Sequence, residues 1–245
     1  MNYFKIFILY LTSLLRNYVH QPKILDYLLK LDLKNAFDIG AHEGETLEYF
    51  LKIKNVKKIY SFEPQILIYN KLFNKYNSNN RIVLNNLALS NNCEDKVFFI
   101  NALTSTSSFS ILNNNSLWLK TKNIILNEKN SIKDSISLKT STIDNYVNEN
   151  NIDIIDLLKI DTEGHELEVL MGSQKTIKAN KIKYLLIELH SSAMYKNYSK
   201  IKIEEFLKIN NFILLKSFKF PFHMFVDNLY RYKESSSVIN YDLND

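Results

Sequence analysis

Cysteine, proline, glycine and tryptophan are all scarce in this chain, with one, three, four and one copies respectively among 245 residues. The single cysteine, Cys93, excludes a disulfide framework and offers no pair of thiols at a metal-binding spacing. A chain without disulfides suits a reducing compartment, and we therefore expect a cytoplasmic protein.

A long hydrophobic run is also missing. The apolar stretch Ile6–Leu11 continues only as far as Leu14 and Leu15, with polar residues between, whereas a membrane span needs about 20 apolar residues. No small-residue cleavage site follows, which argues against a signal peptide. We expect residues 1–34 to form an N-terminal helical extension with no transmembrane segment. Because it has no basic face, packing on the core is favoured over a weak peripheral membrane contact.

Neither sign of charge is in large excess. The chain has 31 Lys and Arg against 26 Asp and Glu, a net charge of +5. The lysines are scattered among asparagines, so nucleic acid is not the expected partner. With 46% hydrophobic residues the chain can build a sizeable core, which excludes a disordered protein. Its length suits one large domain, which we place at residues 35–245.

Short apolar strands alternate with helical patterns along this domain. We expect strands at 35–39, 58–62, 81–88, 97–100, 137–140, 154–160, 183–189, 212–217 and 226–232, and helices at 45–53, 65–76, 143–150, 166–178 and 201–209. This alternation predicts an α/β fold with a mainly parallel sheet, helices on both faces and an antiparallel last strand. A polar insertion at about 104–137 is typical of a lid or a binding loop.

The first motif runs from Asp38 to Gly44 and joins a strand to a helix through a G-x-x-x-G turn. A dinucleotide fingerprint reads G-x-G-x-x-G, so this turn better suits a cofactor without a pyrophosphate. Glu63, about twenty residues further on, has the spacing of a carboxylate that binds a ribose. The plainer alternatives are an ordinary strand-to-helix turn and, for Glu63, a solvated residue before Pro64.

The second motif, Asp161-Thr-Glu-Gly-His-Glu166, follows a strand that reads as fully buried. Ligands of open α/β sheets bind outside the carboxyl ends of the strands, so these ionisable groups indicate a reaction site. Glu166 itself, like Glu168, is expected to face solvent on the first helical turn. His190, which ends a later strand, either lines the site or forms a hydrogen-bonded pair with Glu188.

A divalent cation at this site is an alternative that we considered. Asp161, Glu188 and His190 offer ligand atoms of a suitable kind for magnesium. Their spacing along the sequence does not require a metal, and we expect none.

The chain resembles the FkbM family of S-adenosylmethionine-dependent methyltransferases over well over half its length. The matching stretches are FDIGAHEGETLEYF, SFEP, NLALS, STIDNYV, IDLLKIDTEGHELEVLMG and LLIELH. The resemblance implies a class I methyltransferase fold, which is a Rossmann-like three-layer sandwich around a mostly parallel seven-stranded sheet with an antiparallel last strand. It also implies S-adenosyl-L-methionine as the cofactor.

Carried over position by position, the resemblance assigns roles to individual residues. The implied cofactor-binding residues are Asp38, Gly40, Ala41, His42, Gly44, Glu63, Pro64, Asn86 and Ala88. Asp161 lies near the sulfonium in this assignment, and the candidate catalytic residues are Asp161, Glu163, His165 and His190. A hydroxyl acceptor needs a general base, for which we favour Asp161 or His165, with Glu163 orienting the substrate or the base.

The expected function is therefore methyl transfer to a hydroxyl of a saccharide or a secondary metabolite, with a small-molecule or glycan acceptor. The first alternative is an RNA or protein methyltransferase. A nicotinamide-dependent oxidoreductase and a non-catalytic nucleoside-binding module are weaker alternatives, because the third glycine is absent and the motif acids are intact.

Overall fold

The computed structural model describes residues 3–113, 115–116, 120, 132–190, 194–221 and 225–233. The helices are α1 (Tyr3–Leu15), α2 (Gln21–Leu28), α3 (Glu45–Phe50), α4 (Ile66–Tyr76), α5 (Ile143–Glu149), α6 (Glu166–Met171), α7 (Gln174–Lys178) and α8 (Lys200–Ile209). The strands are β1 (Asn35–Ile39), β2 (Lys58–Phe62), β3 (Ile82–Asn85), β4 (Ala88–Leu89), β5 (Asp95–Asn101), β6 (Ile132–Ser141), β7 (Ile155–Ile160), β8 (Ile182–His190), β9 (Phe212–Lys219) and β10 (Phe225–Tyr232).

Seven of these strands form the central sheet in the order β3-β2-β1-β7-β8-β10-β9. Strands β3, β2, β1, β7 and β8 pair in parallel, whereas β10 is antiparallel to both β8 and β9. The predicted α/β fold, with a mostly parallel seven-stranded sheet and an antiparallel last strand, is confirmed. The carboxyl ends of β1, β2 and β7 consequently meet along one edge of the sheet.

Helices cover both faces of this sheet. On one face, side chains of α5, α6, α7 and α8 pack against alternate residues of the strands. On the other face, α2, α3 and α4 pack against the intervening residues. Every residue of β7 is buried, as its apolar composition predicts for a central strand covered on two sides.

Several element boundaries differ from the sequence expectation, and two of the differences have a visible cause. The strand predicted at 81–88 ends at Asn85, because the amide groups of Asn85 and Asn86 hydrogen-bond neighbouring carbonyls and turn the chain away. The helix predicted at 166–178 breaks at Gly172. A Cβ at Gly172 would lie 2.0 Å from the carbonyl oxygen of Ser90, so only a residue without a side chain fits at this position.

Strands β4, β5 and β6 form a second, three-stranded sheet in the order β4-β6-β5. Strand β6 extends the strand expected at 137–140 back to Ile132. The polar insertion expected at about 104–137 lies partly outside the described residues. Its first part, a turn at Thr104–Thr106, approaches the carboxyl edge of the central sheet.

The N-terminal segment has two parts. Helix α2 contributes Ile24 and Leu28 to the core, so the packing expected of this segment is observed there. Helix α1 instead exposes large apolar side chains, among them Tyr3, Phe7 and Tyr10. A five-residue π-helix, Arg16–His20, joins the two helices. Within the residues described above, none of the helices has both the length and the apolar character needed to cross a membrane.

Candidate active site

The turn after β1 brings backbone, rather than side chain, to the carboxyl edge of the sheet. Gly40 has φ of +85°, and a Cβ there would lie 1.9 Å from the carbonyl oxygen of Asp161. The amides of Gly40 and Ala41 both donate to the carbonyl of Phe62, at 3.1 and 3.0 Å. Glycine is therefore needed here because β1 and β7 approach closely where both strands end.

Glu63 follows β2 and is buried beside this turn. Its Oε2 accepts a hydrogen bond from the His42 amide at 2.9 Å, and its Oε1 accepts one from the Gln65 amide at 2.8 Å. Burial raises the pKa of Glu63, although these two amides work in the opposite direction. The carboxylate is thus fixed in orientation, and each oxygen keeps a second lone pair for a ligand hydroxyl.

A cavity opens between the glycine turn, Glu63 and the start of β4; we call it the loop cavity. Among the residues predicted to bind the cofactor, those that line it are Gly40, His42, Glu63, Pro64 and Ala88. Its apolar walls come from Ile39, Phe62, Leu87, Leu89, Phe98 and Phe109. A flat apolar slot beside a fixed carboxylate is an arrangement that suits a nucleoside.

The other residues predicted to bind the cofactor lie around this cavity rather than in its wall. Asn86 is exposed, and its amide donates to the carbonyls of Glu63 and Pro64 at 2.9 and 3.1 Å. Ala41 lines the neighbouring cavity next to α2. Gly44 has φ of +92° and begins α3.

Asp38 and Lys159 form a buried ion pair beneath the site. Both side chains are on the face of the sheet that α2 and α3 cover, and Lys159 Nζ lies 3.8 Å from Asp38 Oδ1. Burial raises the pKa of Asp38 to about 6, although Lys159 opposes this shift. Lys159 also donates to Oδ2 of Asp161 at 3.0 Å. Burial alone would raise the pKa of Asp161, but Lys159 and Arg16 outweigh it and lower the pKa.

Glu163 is aimed into the site by a strained backbone. Its φ of 54° lies in the left-handed region, which non-glycine residues adopt rarely and often at functional sites. The hydroxyl of Tyr195 donates to Glu163 Oε2. Burial raises the pKa of Glu163, with the facing His190 working against the shift.

His190 and Glu188, at the end of β8, complete a group of ionisable side chains. His190 Nε2 lies 3.7 Å from Glu163 Oε2 and 3.8 Å from Glu188 Oε1. Burial raises the pKa of Glu188 well above its usual range, and the nearby Asp161 and Asp227 add to the shift. We call Asp161, Glu163, Glu188 and His190 the edge cluster; one ligand atom from each lies within 4.8 Å of the others.

His165, also a candidate catalytic residue, lies apart from this cluster on the wall of the loop cavity. Its Nε2 is 2.9 Å from the hydroxyl of Ser90, and its ring packs against Phe109. Burial lowers the pKa of His165 to about 3, with a smaller contribution from Lys96. A neutral imidazole of this kind is a weak proton acceptor near neutral pH.

The expectation that Glu166 faces solvent is wrong. Its carboxylate Oε1 accepts hydrogen bonds from the amides of Thr162 and Gly164, at 3.1 and 3.0 Å, and from the Thr162 hydroxyl. The tight turn between β7 and α6 leaves these donors without helical partners, so the first helical residue folds back to satisfy them. Burial raises the pKa of Glu166 to about 7.

The N-terminal segment contributes residues that sequence reasoning missed. His20 Nε2 lies 2.7 Å from Asp227 Oδ2 of β10, and both side chains are buried. Arg16 lies over the ring of Phe225, with Nη2 4.0 Å from Glu188 Oε2. These contacts hold the π-helix across the carboxyl end of β8 and the adjacent amino end of β10.

A second cavity, which we call the N-terminal cavity, lies between this segment and the edge cluster. Its walls carry hydroxyl and amide groups together with three members of the cluster; they include Thr12, Ser13, Asn17, Ser105, Thr106, Glu163, Glu188 and His190. Glu163 also lines the loop cavity, so the two cavities meet at this residue.

Comparison with known proteins agrees with this arrangement. The methyltransferase FkbM domain, as a family, matches residues 38–220. A stretch of 76 residues, 31% of this chain, is 30% identical to hexuronic acid methyltransferase AglP of Haloferax volcanii and covers 31% of that protein. The crystal structure of methyltransferase FkbM from Methylobacillus flagellatus KT is similar over 82% of this chain and 44% of its own, with 19% identity and a TM-score of 0.52.

This chain thus spans less than half the length of either relative. The likeness to the Methylobacillus protein supports the fold. The family match, over residues 38–220, covers both motifs and the whole of the chain between them. The chain belongs to the FkbM family of S-adenosylmethionine-dependent methyltransferases, and S-adenosylmethionine is its cofactor.

Proposed function

We propose that the protein is an O-methyltransferase that methylates a hydroxyl group of a saccharide. One observation carries the proposal: the pair Glu163 and His190 stands where the loop cavity meets a second cavity, whose walls combine hydroxyl and amide groups with the apolar side chains of Leu103, Met194 and Phe225. A sugar presents hydroxyls around its rim and C–H groups on its ring faces, so walls of this mixed kind suit it.

The residues around the loop cavity fit the cofactor. Glu63 would offer its buried carboxylate to the two ribose hydroxyls, and Leu87 and Ala88 would hold the adenine. The turn at Gly40 and His42 would hold the methionine portion. When bound, S-adenosylmethionine supplies a methyl group activated by a sulfonium.

Among the four candidate bases, Glu163 suits the role best. Asp161 is committed to Lys159, which together with Arg16 lowers its pKa, and His165 is a neutral imidazole bonded to Ser90. Burial raises the pKa of Glu163, and its side chain lines both cavities. A general base must lie within reach of the proton that it removes, and Glu163 meets this requirement where the two cavities join. We therefore assign proton removal to Glu163 and its orientation to Tyr195 and His190.

Two observations support a saccharide over a nucleic acid as the acceptor. The described wall of the N-terminal cavity has three carboxyl groups, those of Glu45, Glu163 and Glu188, against one guanidinium, that of Arg16, so it offers little to bind a phosphate backbone. The relative from Haloferax volcanii, which matches a third of this chain, is named for a hexuronic acid, itself a sugar derivative.

Methyl transfer from isotopically labelled S-adenosylmethionine to a panel of mono- and oligosaccharides tests the proposal. We expect a labelled ether in at least one saccharide, and a fall in kcat of about 100-fold or more in Glu163→Gln, since the general base is lost. Glu205→Gln, which changes an exposed carboxylate on α8, is the matched control and should keep wild-type turnover. Labelling of RNA or protein but of no saccharide would contradict the proposal.

A further inference from the structure

The geometry points to a divalent-cation site in the edge cluster, with Asp161, Glu163, Glu188 and His190 as ligands, and to Mn²⁺ or Mg²⁺ as the ion. The sequence alone led us to expect no metal, because the spacing of Asp161, Glu188 and His190 does not require one, and Glu163 was not among the ligands considered. The fold brings it into range through the left-handed turn after β7.

His190 supplies an observation independent of the acidic residues. Its side chain is 3% exposed, and its Nε2 has no hydrogen-bond partner among the described residues. That nitrogen faces Glu163 and Glu188 at 3.7 and 3.8 Å, which is too long for a hydrogen bond. Two ligands on one ion stand farther apart than a hydrogen bond allows, because each lies about 2.1 Å from a small divalent ion.

Two carboxylates of the cluster accept a hydrogen bond from a protein donor. Lys159 donates to Oδ2 of Asp161, and the Tyr195 hydroxyl donates to Oε2 of Glu163. Arg16 lies 4.0 Å from Oε2 of Glu188, whose Oε1 faces His190. Outer-shell contacts of this kind fix the orientation of metal ligands.

The charges around the cluster also favour the binding of a cation. The described lining of the cavity next to α2 has an excess of carboxylates over ammonium and guanidinium groups: Glu45, Asp161, Glu163, Glu188 and Asp227 against Arg16 and Lys159. Three carboxylate oxygens and one imidazole nitrogen form a mostly hard ligand set, which favours Mn²⁺ or Mg²⁺ over Cu²⁺. At the mouth of the N-terminal cavity, the ion orients neighbouring hydroxyls of a saccharide; this role rests on the proposed function, whereas cation binding does not.

Titration of the full-length, chelator-treated protein with Mn²⁺, followed by the electron paramagnetic resonance of free Mn²⁺, tests the site. We expect one Mn²⁺ per chain, and at least about tenfold weaker binding in Glu188→Gln, since loss of an outer-shell contact alone costs that much. Glu45→Gln, which removes the same charge from the same cavity, should bind Mn²⁺ as wild type does. Pulsed electron paramagnetic resonance of the wild-type Mn²⁺ complex should detect a ¹⁴N coupling from His190. This measurement does not depend on the folding of any variant.

Three results would each overturn the site: no Mn²⁺ binding by folded wild type, no ¹⁴N coupling, or displacement of Mn²⁺ by S-adenosylmethionine. The last result would mean that the cluster balances the charge of the sulfonium instead. Any of them would leave the saccharide assay unaffected, because that assay measures methyl transfer and not cation binding. Failure of that assay with intact Mn²⁺ binding would overturn only the proposed acceptor.

Discussion

The two edges of the central sheet differ in how completely their buried charged side chains are hydrogen-bonded. At the amino edge, the carboxylate of Asp156 accepts hydrogen bonds from the amides of Lys34 and Asn35, both at 2.9 Å, and from Lys183 Nζ at 2.6 Å. Arg81, nearby, donates to three backbone carbonyls at 2.8 to 2.9 Å. Asp156 and Arg81 thus both have hydrogen-bond partners, and these contacts stabilise the fold.

At the carboxyl edge, buried charge is left incompletely paired. Neither carboxylate oxygen of Asp38 has a hydrogen-bond partner in the described part of the chain, and the same holds for His190 Nε2. Glu163 has a left-handed backbone, and burial raises the pKa of Glu188. Such arrangements cost stability and persist where a ligand completes them. The difference indicates which edge evolution has shaped for binding.

The largest expected effect is at the amino edge. Asp156→Ala leaves the part-buried amides of Lys34 and Asn35 without an acceptor and Lys183 without its partner, so we expect the free energy of unfolding to fall by about 3 kcal/mol. Urea unfolding measures this loss, and Asp156→Asn, which keeps an acceptor oxygen, should lose less. A change below about 1 kcal/mol in the alanine variant would remove the contrast between the edges.

The next effect concerns pH. Burial raises the pKa of Glu166 to about 7, above the ordinary value of 4.5. The folded state then binds more protons than the unfolded state between those values, so its stability falls as pH rises from about 5 to 8. Glu166→Gln keeps an acceptor for the turn amides and removes this titration.

Urea unfolding at pH 5 and pH 8 checks the prediction. The stability lost between the two pH values should be smaller in Glu166→Gln than in wild type by about 2 kcal/mol. Glu168→Gln, exposed on the same helix, is the control and should follow the wild type. Equal pH dependence in Glu166→Gln and wild type would contradict the prediction.

The smallest effect has the opposite sign. Glu188 is buried among carboxylates, and its nearest guanidinium, that of Arg16, is 4.0 Å away. Because burial and the neighbouring carboxylates raise the pKa of Glu188, its ionised form destabilises the fold, and a neutral isostere relieves that cost. We expect Glu188→Gln to raise the free energy of unfolding by about 1 kcal/mol, measured in urea with a chelator present. A less stable variant would mean that Glu188 serves the fold in the way that Asp156 does.

Much of the fold could be predicted from the sequence because its elements have strong local signals. The buried strand β7 reads as a continuous apolar run, and the order of alternating elements determines which strand ends meet. Glu63 and Asp161 could be placed at those ends because each directly follows a predicted strand in the sequence. A mid-strand lysine in an apolar run, Lys159, was the one available signal of a buried ion pair.

The rest depended on contacts between distant segments. No local pattern indicates that Glu166 folds back onto the turn before it, or that Asn86 turns outward. His20 and Asp227 are more than two hundred residues apart in the sequence, and the packing of α2 against the sheet brings their side chains into contact. Sequence reasoning identified the residues after each strand, but it could not identify which side chains face one another.

Calorimetric titration with S-adenosylhomocysteine, using wild type, Glu63→Ala and Asp156→Ala, tests the contrast between the edges most directly. The account predicts affinity about 100-fold weaker in Glu63→Ala, because two hydrogen bonds from ribose hydroxyls to a carboxylate are lost. It predicts unchanged affinity in Asp156→Ala at a temperature where that variant is folded. Equal losses of affinity in both variants, or none in Glu63→Ala, would contradict the division of the sheet into a stabilising edge and a binding edge.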